Sequence, residues 1–426
     1  MQLLQLPEAQ ALRALTVDGY VLFGTRMVRL FAYGFLSVVL VLYLAQLGLS
    51  EQGIGVLLTW TLIGDAVISF WIAALADRIG RRRMLIVGAG LMVLAGLVLA
   101  LTRNLWLLTL AAIVGTLSPS GGEVGPFLSI EQAALSQTAP TRQRTQVFAW
   151  YNLIGSFATA LGALSSGVLV DLLQWSGSSS LASYRSVVLG YALLGIGLAA
   201  LFSRLSSAVE ADAVRQDRSS MTDSAERRRF GLHRSRNVVM RLSALFMLDA
   251  FAGGLVVQSM IAYWFYVRFG VEPTVLGSIF FGANMLAGLS ALAAARIAAR
   301  FGLINTMVWT HIPSNVLLIL VPLMPHVSLA IGVLLARFSI SQMDVPTRQS
   351  YTMAVVDPDE RSAAAGATTI ARTAASAISP TITGVLFSAG WLSLPFVLAG
   401  CLKIVYDLAL YRSFRALKPP EERPGD

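Results

Sequence analysis

The sequence predicts an all-α polytopic membrane protein with twelve transmembrane helices. Of its 426 residues, 56% are hydrophobic and only 13% are charged, and the mean hydropathy is +0.69, whereas an average soluble domain is about 25% charged. A helix needs about 20 apolar residues to cross a hydrocarbon core of about 30 Å. Twelve such stretches lie near 21–47, 52–76, 84–102, 105–133, 146–173, 184–203, 238–268, 274–299, 303–323, 327–353, 363–389 and 392–411. These runs are too long and too continuously apolar for the alternating strands of a membrane barrel.

The segment before the first span predicts a surface helix rather than a cleavable signal sequence. Residues 1–20 place Glu8, Arg13 and Asp18 among leucines, and no basic start precedes a small-residue cleavage site. We expect a short amphipathic helix on the cytoplasmic surface of the membrane here.

The basic residues of the connecting loops predict the orientation of the chain. One side carries Arg13, Arg78, Arg81 to Arg83, Arg142, Arg144, Arg300, Arg361, the cluster from Arg204 to Arg236 and the tail from Arg412. The opposite loops carry only Arg103, Arg185 and Arg268. By the positive-inside rule both termini are cytoplasmic, in the cell (inner) membrane. The net charge of +9 therefore reflects topology, and no nucleic-acid partner is indicated.

A polar segment divides the predicted spans into two sets of six. Residues 204–237 form the predicted cytoplasmic linker between an N-terminal half, 1–203, and a C-terminal half, 238–426, which ends in a short cytoplasmic tail. The halves look related, since Arg78, Gly80 and Gly55 recur at one constant spacing as Arg300, Gly302 and Gly277. Glu123–Pro126 likewise resembles Asp344–Pro346, and Pro140–Arg144 resembles Pro358–Arg361. Repeats related by an axis along the membrane normal are typical of one class of transporters.

The segment Asp77–Arg82, of sequence Asp-Arg-Ile-Gly-Arg-Arg, resembles the signature loop between helices two and three of the major facilitator superfamily. Length, span number, linker and repeat extend the resemblance to the whole chain, although Ala73 stands where the family has glycine. The resemblance implies two pseudo-symmetric six-helix bundles. It also implies that Asp77 lies at the N-terminal end of the eleventh helix, and that Arg81 meets an acid at the end of the fourth, for which Glu131 is the candidate. The predicted gate comprises Asp77, Arg78, Gly80, Arg81 and Glu131. The alternative is that these charges only set the topology.

Ionisable groups within the spans predict the transport site, because each costs several kcal/mol in a membrane unless it is paired or hydrated. In the family fold, helices one, four, seven and ten line the central cavity, and all four carry charges in this chain. The predicted substrate cavity comprises Arg26, Arg29, Tyr33, Arg337 and Arg348.

Three acids on these helices predict proton coupling, namely Glu123, Asp249 and Asp344. We expect Arg29 to balance Glu123 and Arg348 to flank Asp344, so that each acid can alternate between a paired and a dehydrated state. The alternative is a static salt-bridge network that closes the cytoplasmic gate.

Two further charges, Asp65 in the second span and Arg372 in the eleventh, predict an ion pair across the interface of the halves. Both lie near mid-membrane, and the resemblance places their helices side by side. Opening of the outer gate would then break the contact.

The chain is expected to be a secondary transporter and not an enzyme. It has no GxxxxGK[ST] loop, no HExxH and no GxSxG, and its single cysteine, Cys401, indicates no disulfide or metal site. No cofactor is expected. The favoured function is proton-coupled efflux of a small organic or amphipathic compound by a monomer whose partners are substrate, protons and lipid bilayer. Proton-coupled uptake of an organic anion and a transporter-like membrane sensor remain alternatives.

Overall fold

The computed structural model describes residues 15–123, 125–138, 144–210, 234–357, 360–415 and 417, and these form helices and connecting turns without a β-strand. In chain order the α-helices are α1 (Val17–Ser37), α2 (Leu40–Gln46), α3 (Glu51–Ile79), α4 (Arg81–Leu101), α5 (Leu105–Val114), α6 (Phe127–Thr138), α7 (Arg144–Trp175), α8 (Ser180–Phe202), α9 (Arg236–Gly254), α10 (Gln258–Phe269), α11 (Pro273–Phe301), α12 (Leu303–Leu320), α13 (Val327–Phe338), α14 (Asp344–Ala354), α15 (Arg361–Ser388) and α16 (Leu394–Phe414). Short 3-10 turns cover Ser207–Val209 and Val321–Leu323. The predicted all-α class is confirmed.

The twelve predicted passages are recognisable, but not all are continuous apolar helices. In the described part of the chain, eight segments are long and apolar enough to cross a membrane alone, and α1 with α2 forms a ninth span that bends by 43°. The fourth passage is interrupted between α5 and α6, and the tenth between α13 and α14. The eleventh, α15, has 28 residues but is rich in Ser, Thr and Ala rather than large apolar side chains. The fourth, tenth and eleventh passages thus differ from a continuous apolar helix, and each of them carries polar residues into the bundle.

Backbone chemistry explains the break in the fourth passage. Gly121 and Gly125 adopt positive φ values of +70° and +83°, which side chains with a Cβ disfavour, and Pro126 follows immediately. A helix cannot continue through this sequence, so Glu123 lies on an irregular segment inside the bundle.

The packing of the helices repeats between the two sets of six. In the first set, α1 packs along α7 and α8, and α4 packs along α8; in the second, α9 packs along α15 and α16, and α12 packs along α16. Between the sets, α7 packs along α11 and α3 along α15. This arrangement is two pseudo-symmetric six-helix bundles joined by two long helix crossings.

Glycines allow both crossings. A Cβ on Gly55 would lie 2.4 Å from the carbonyl oxygen of Pro380, and one on Gly277 would lie 2.7 Å from that of Ala163. Gly55 and Gly277 are the glycines matched by the sequence repeat, and the backbones of both crossings meet there.

The bundle has two distinguishable ends. The turns at Gly80 and Gly302 lie at one end, with Glu210 and Arg234, which flank residues 211–233; we call it the linker face. The other end, the distal face, carries the turns that join α2 to α3 and α10 to α11. Of the predicted features, the surface helix falls largely on residues 1–14 and most of the linker on 211–233, outside the described residues, as do Arg13 and Arg142.

Hydrogen bonds between the two bundles cluster toward the distal face. They join Gln258 Nε2 to Ser37 Oγ (2.8 Å), Tyr263 Oη to Glu51 Oε1 (2.9 Å), the Ser259 amide to the Pro119 carbonyl (3.0 Å), the Thr274 amide to Asp171 Oδ2 (3.0 Å) and Thr381 Oγ1 to Thr59 Oγ1 (2.7 Å). These bonds and the glycine crossings hold the bundles together on that side.

Candidate functional site

The first bundle contains a buried charge cluster built on α1. Arg26 and Arg29 lie one turn apart on that helix and face the irregular segment and α6. Glu123 Oε1 accepts from Arg26 Nη1 at 2.5 Å and from Arg29 Nη2 at 3.1 Å, and Arg29 Nη1 donates to Glu131 Oε1 at 2.6 Å. The structure thus places Arg29 against Glu123, as expected from sequence, and adds Arg26 and Glu131 to the pair.

Glu131 and Glu123 occupy different environments within this cluster. Glu131 is fully buried and accepts hydrogen bonds from Thr25 Oγ1 at 2.8 Å and from the hydroxyl of Tyr151. The Glu123 side chain is 18% exposed, and its Oε2 has no hydrogen-bond partner among the described residues. Both oxygens of Glu131 are therefore hydrogen-bonded, whereas Glu123 has one oxygen without a partner among the described residues.

The predicted contact between Arg81 and Glu131 is wrong, because Arg29 and Tyr151 already hold Glu131 inside the bundle. Arg81 lies at the linker face, where its Nε donates to Asp77 Oδ1 at 2.9 Å. Its backbone amide donates to Glu210 Oε2 at 2.6 Å. Glu210 also accepts from the next amide, that of Arg82, at 3.2 Å, and so satisfies the exposed donors at the start of α4. The Asp77 side chain is 64% exposed.

The second bundle has its own charge cluster around Asp249. This carboxylate accepts from Lys403 Nζ at 2.5 Å, from Arg372 Nη1 at 2.9 Å and from Arg348 Nη1 at 3.2 Å. Arg348 also donates to Asp344 Oδ2 at 2.7 Å, one turn away on α14. Three basic residues thus share two carboxylates, drawn from α9, α14, α15 and α16.

The predicted ion pair between Asp65 and Arg372 is wrong. Arg372 donates to Asp249 instead, because α15 packs lengthwise against α9 of its own bundle. Asp65 lies on α3 beside the backbone of Gly125 and the hydroxyl of Ser69, and it takes part in none of the ion pairs formed by the described residues.

A central cavity of about 540 Å³ separates the two bundles. The first bundle contributes Arg26, Glu123 and Asn152 to its wall, and the second contributes Gln258 and Arg337. Most of the remaining lining is small or apolar, with further hydroxyl and amide groups from Ser120, Ser156, Thr159, Asn284 and Gln342. The cavity is large enough for a small organic solute and offers hydrogen-bonding groups from both sides.

Two of the five residues predicted to form the substrate cavity line this space. Arg26 and Arg337 do so, and the guanidinium of Arg337 lies 5.0 Å from the ring of Phe338, with its Nε unpartnered among the described residues. The placement of Arg29, Tyr33 and Arg348 at the cavity surface is wrong. Arg29 and Tyr33 are fully buried, and Arg348 is held inside the Asp249 cluster. Ion pairing and helix packing turn these side chains away from the space.

The proton-coupling candidates also differ in access. Glu123 lines the central cavity, and Asp249 lines a smaller cavity of about 340 Å³ together with Arg372 and Lys403. Asp344 is buried against Arg348. Of the three acids, Glu123 has the most open position.

Sequence reasoning missed several polar residues that complete these clusters. Lys403 and Asp407 lie on the last span, and Asp407 accepts from the Nδ2 of Asn315 at 3.0 Å and contacts His311 Nδ1 at 2.8 Å. Lys403 and Asp407 could have been found from the sequence, because each is a charged residue within an otherwise apolar span. No local pattern distinguishes Asn152, which accepts from Arg26 at 3.1 Å.

Comparison with known proteins agrees with this architecture. A model of the family described as Major Facilitator Superfamily matches residues 22–380. The Saccharomyces cerevisiae protein named "Uncharacterized membrane protein YJR124C" is 32% identical over 416 residues, which are 92% of this chain and 93% of that protein. A bacterial homologue of the human lysosomal transporter Spinster, in an inward-facing and unoccupied conformation, superposes with a TM-score of 0.72 at 14% identity and covers 96% of this chain and 98% of its own. The D-xylose-proton symporter gives a TM-score of 0.67 at 15% identity, covering 92% and 97%.

Proposed function

Because the chain belongs to the major facilitator superfamily, we propose that it is a proton-coupled secondary transporter that exports a small organic solute by alternating access. The central cavity carries this proposal, since both bundles line it and Glu123 lies in its wall. Residues 1–203 and 238–426 are the two halves that rock about the cavity, and 204–237 join them.

The charge distribution of the loops supports an orientation with the linker face and both termini in the cytoplasm of a cell (inner) membrane. The hydrogen bonds toward the distal face then close the external side. We infer that the central cavity opens toward the cytoplasm in this state, because these hydrogen bonds join the bundles on the opposite side. Loading from inside and release outside is the order of steps that export requires.

Glu123 is the residue that we assign to proton exchange. In the present state it forms ion pairs with Arg26 and Arg29. When α1 moves relative to the irregular segment, the carboxylate loses these partners. An unpaired charge within the membrane is costly, so the carboxylate takes up a proton from water in the cavity. Asp249 and Asp344 are the corresponding acids of the second half, and the cations around them hold that half together between cycles.

The exposed loop at the linker face supports a gating role for Asp77, Arg78, Gly80 and Arg81. Glu210 fixes the start of α4 from within the first half. The side chain of Asp77 is exposed beside its ion pair with Arg81, and we propose that it meets the start of α15 when the cytoplasmic side closes, where its charge suits the positive end of a helix.

A second candidate, uptake of an organic anion, is favoured by Arg337. This guanidinium lines the central cavity and its Nε is unpartnered among the described residues. A carboxylate or phosphate of a solute could bind there with two parallel hydrogen bonds.

Reconstituted protein tests both candidates. Purified full-length chain is placed in liposomes that contain a pH-sensitive dye, and a panel of organic cations, anions and sugars is screened for solute-driven proton flux and for counterflow. We expect Glu123→Gln to abolish proton flux and to leave counterflow, whereas Glu272→Gln, at an exposed acid of the distal face, leaves both. Proton coupling that survives Glu123→Gln contradicts the assignment. Binding without counterflow for every ligand identifies a sensor instead.

A further inference from the structure

A second and larger cavity lies beside the central one, between α3, α15 and the start of α6. Its volume is about 880 Å³. The walls are mainly apolar and come from residues 63–71 of α3 and 369–378 of α15. Nearer the distal face the same two helices touch, since Thr381 Oγ1 donates to Thr59 Oγ1 at 2.7 Å and Gly55 packs against Pro380. The helices thus cross near the distal face and diverge toward the linker face.

The divergence opens the cavity to the surrounding lipid. Five of its lining residues are large apolar side chains at the protein surface, namely Val67 (51% exposed), Phe70 (63%), Trp71 (60%), Ile370 (65%) and Ile378 (54%). At 1.5 Å per residue, residues 63–71 lie about 18 to 30 Å from the distal end of α3. Because α3 has 29 residues and its middle is at residue 65, this stretch runs from near mid-membrane into the leaflet on the linker side.

Two carboxylates lie at the inner end of this apolar cavity. Asp65 and Glu123 both line it, and Glu123 lines the central cavity as well. The formal charges of Arg26 and Arg29 are balanced by Glu123 and Glu131, so Asp65 is one carboxylate in excess. The rings of Phe70 and Trp71 form an edge-to-face pair at 6.2 Å near the opening, and an aromatic face attracts a cation.

We propose that this cavity is a lateral access site for a single-tailed amphiphile with a cationic head group. This proposal rests on the proposed export function and names the substrate class. The tail remains against Phe70, Trp71 and Ile370, while the head group reaches Asp65. The head group then passes to Glu123, which is shared by both cavities. The substrate thereby reaches the transport path from the inner leaflet without crossing water.

The test uses full-length protein in liposomes and trimethylammonium-diphenylhexatriene, a membrane-soluble fluorescent cation. Its export under a pH gradient is followed as loss of membrane-bound fluorescence. Neutral diphenylhexatriene lacks the charge, and tetramethylammonium has the head group without the tail. Ile370→Trp and, at the same opening, Ile378→Trp narrow the lateral cavity, and Asp65→Asn removes the excess charge. Val87→Trp is the matched control, because Val87 is a lipid-facing residue of α4 that is 44% exposed.

We expect each of the three cavity variants to lower the initial export rate of the tailed cation about tenfold. Asp65→Asn removes the charge that attracts the head group, and the two tryptophans obstruct the opening through which the tail enters. Val87→Trp should leave the rate within about twofold, as for a surface change. Neutral diphenylhexatriene should not move, and tetramethylammonium flux should be unaffected by Ile370→Trp.

Two results separate failure of this site from failure of the transporter. Unchanged export of the tailed cation in both tryptophan variants, together with its loss in Glu123→Gln, overturns lateral access and leaves proton-coupled transport intact. Absence of proton flux and counterflow for every solute overturns the transporter itself. A tightly bound phospholipid that co-purifies with wild-type protein, but not with Ile370→Trp, and that the tailed cation fails to displace also overturns the proposal.

Discussion

The two glutamates that share Arg29 should respond differently to removal of their charge. Glu131→Gln leaves Arg29, which is fully buried, with Glu123 as its one described carboxylate partner, and Glu123 is also bound by Arg26. Glu123→Gln leaves Arg29 paired with Glu131 and exposes Arg26 to the central cavity. We therefore expect the first substitution to affect folding and the second to affect transport.

The magnitudes follow from burial. Breaking a buried ion pair by removing one partner costs about 3 to 5 kcal/mol, and this is the loss expected for Glu131→Gln. Glu123→Gln should cost about 1.5 kcal/mol, the lower value for a hydrogen bond to a charged group, because water in the cavity can solvate Arg26. Net protein stabilities are about 5 to 15 kcal/mol, so only the first variant should be close to unfolding.

Thermal unfolding of the purified protein, followed by tryptophan fluorescence, measures the difference alongside proton flux in liposomes. The double variant Arg29→Met/Glu131→Gln is the control, because it removes both charges and leaves Arg26 paired with Glu123. It should unfold at a higher temperature than Glu131→Gln alone. If Glu131→Gln unfolds like the wild type and yet loses transport, Glu131 is a functional carboxylate and the assignment by burial is refuted.

Three further substitutions test the helix crossing, the second charge cluster and the linker-face contact. Gly55→Val should lower the free energy of unfolding by about 1 to 3 kcal/mol, because the new side chain meets the backbone of α15. Gly90→Val is the control and should have little effect, because a side chain there meets open space. Equal unfolding temperatures for the two variants would contradict this. Lys403→Met removes one of the three cations around buried Asp249 and should lower the free energy of unfolding by about 3 kcal/mol, whereas Lys403→Arg should unfold at nearly the wild-type temperature. A methionine variant as stable as the wild type would show that Arg348 and Arg372 are enough to balance Asp249. Glu210→Ala should lower the free energy of unfolding by about 1 kcal/mol and speed amide hydrogen exchange at Arg81 and Arg82, whose amides Glu210 accepts. Unchanged exchange at these two amides would contradict the contact.

The length of the apolar runs was sufficient to predict the all-α membrane class and the passages of the chain through the bundle. Both predictions depend only on local sequence, because the thickness of the bilayer determines the length of a span and its hydrocarbon core favours apolar side chains. Glu123 and Asp249 were selected as candidates for the same reason, since a charge within an apolar run is visible without knowledge of its neighbours.

Apart from Arg29 with Glu123, partners on different helices could not be predicted in the same way. Glu131 turns toward Arg29 rather than Arg81, and Arg372 toward Asp249 rather than Asp65. In both cases the contact is set by how a helix rotates about its axis and by where it breaks. The break at Gly121 to Pro126 displaces everything that follows in the fourth passage, and a helical wheel drawn through it gives the wrong face.

A glutamate forms hydrogen bonds at each end of the segment that connects the two bundles. Glu210 binds the start of α4 in the first bundle, and Glu360 accepts the amides of Arg234 and Ser235 at 2.9 Å in the second. The 23 residues between them, 211–233, have a contour length of about 75 Å, more than the height of about 44 Å of a 29-residue helix. A fully extended chain of this length therefore sets no close limit on how far the two bundles can separate. In the proposed rocking of the halves, the pivot is the pair of close helix crossings at Gly55 and Gly277, so insertion of further residues into 211–233 should leave the turnover of the transporter unchanged.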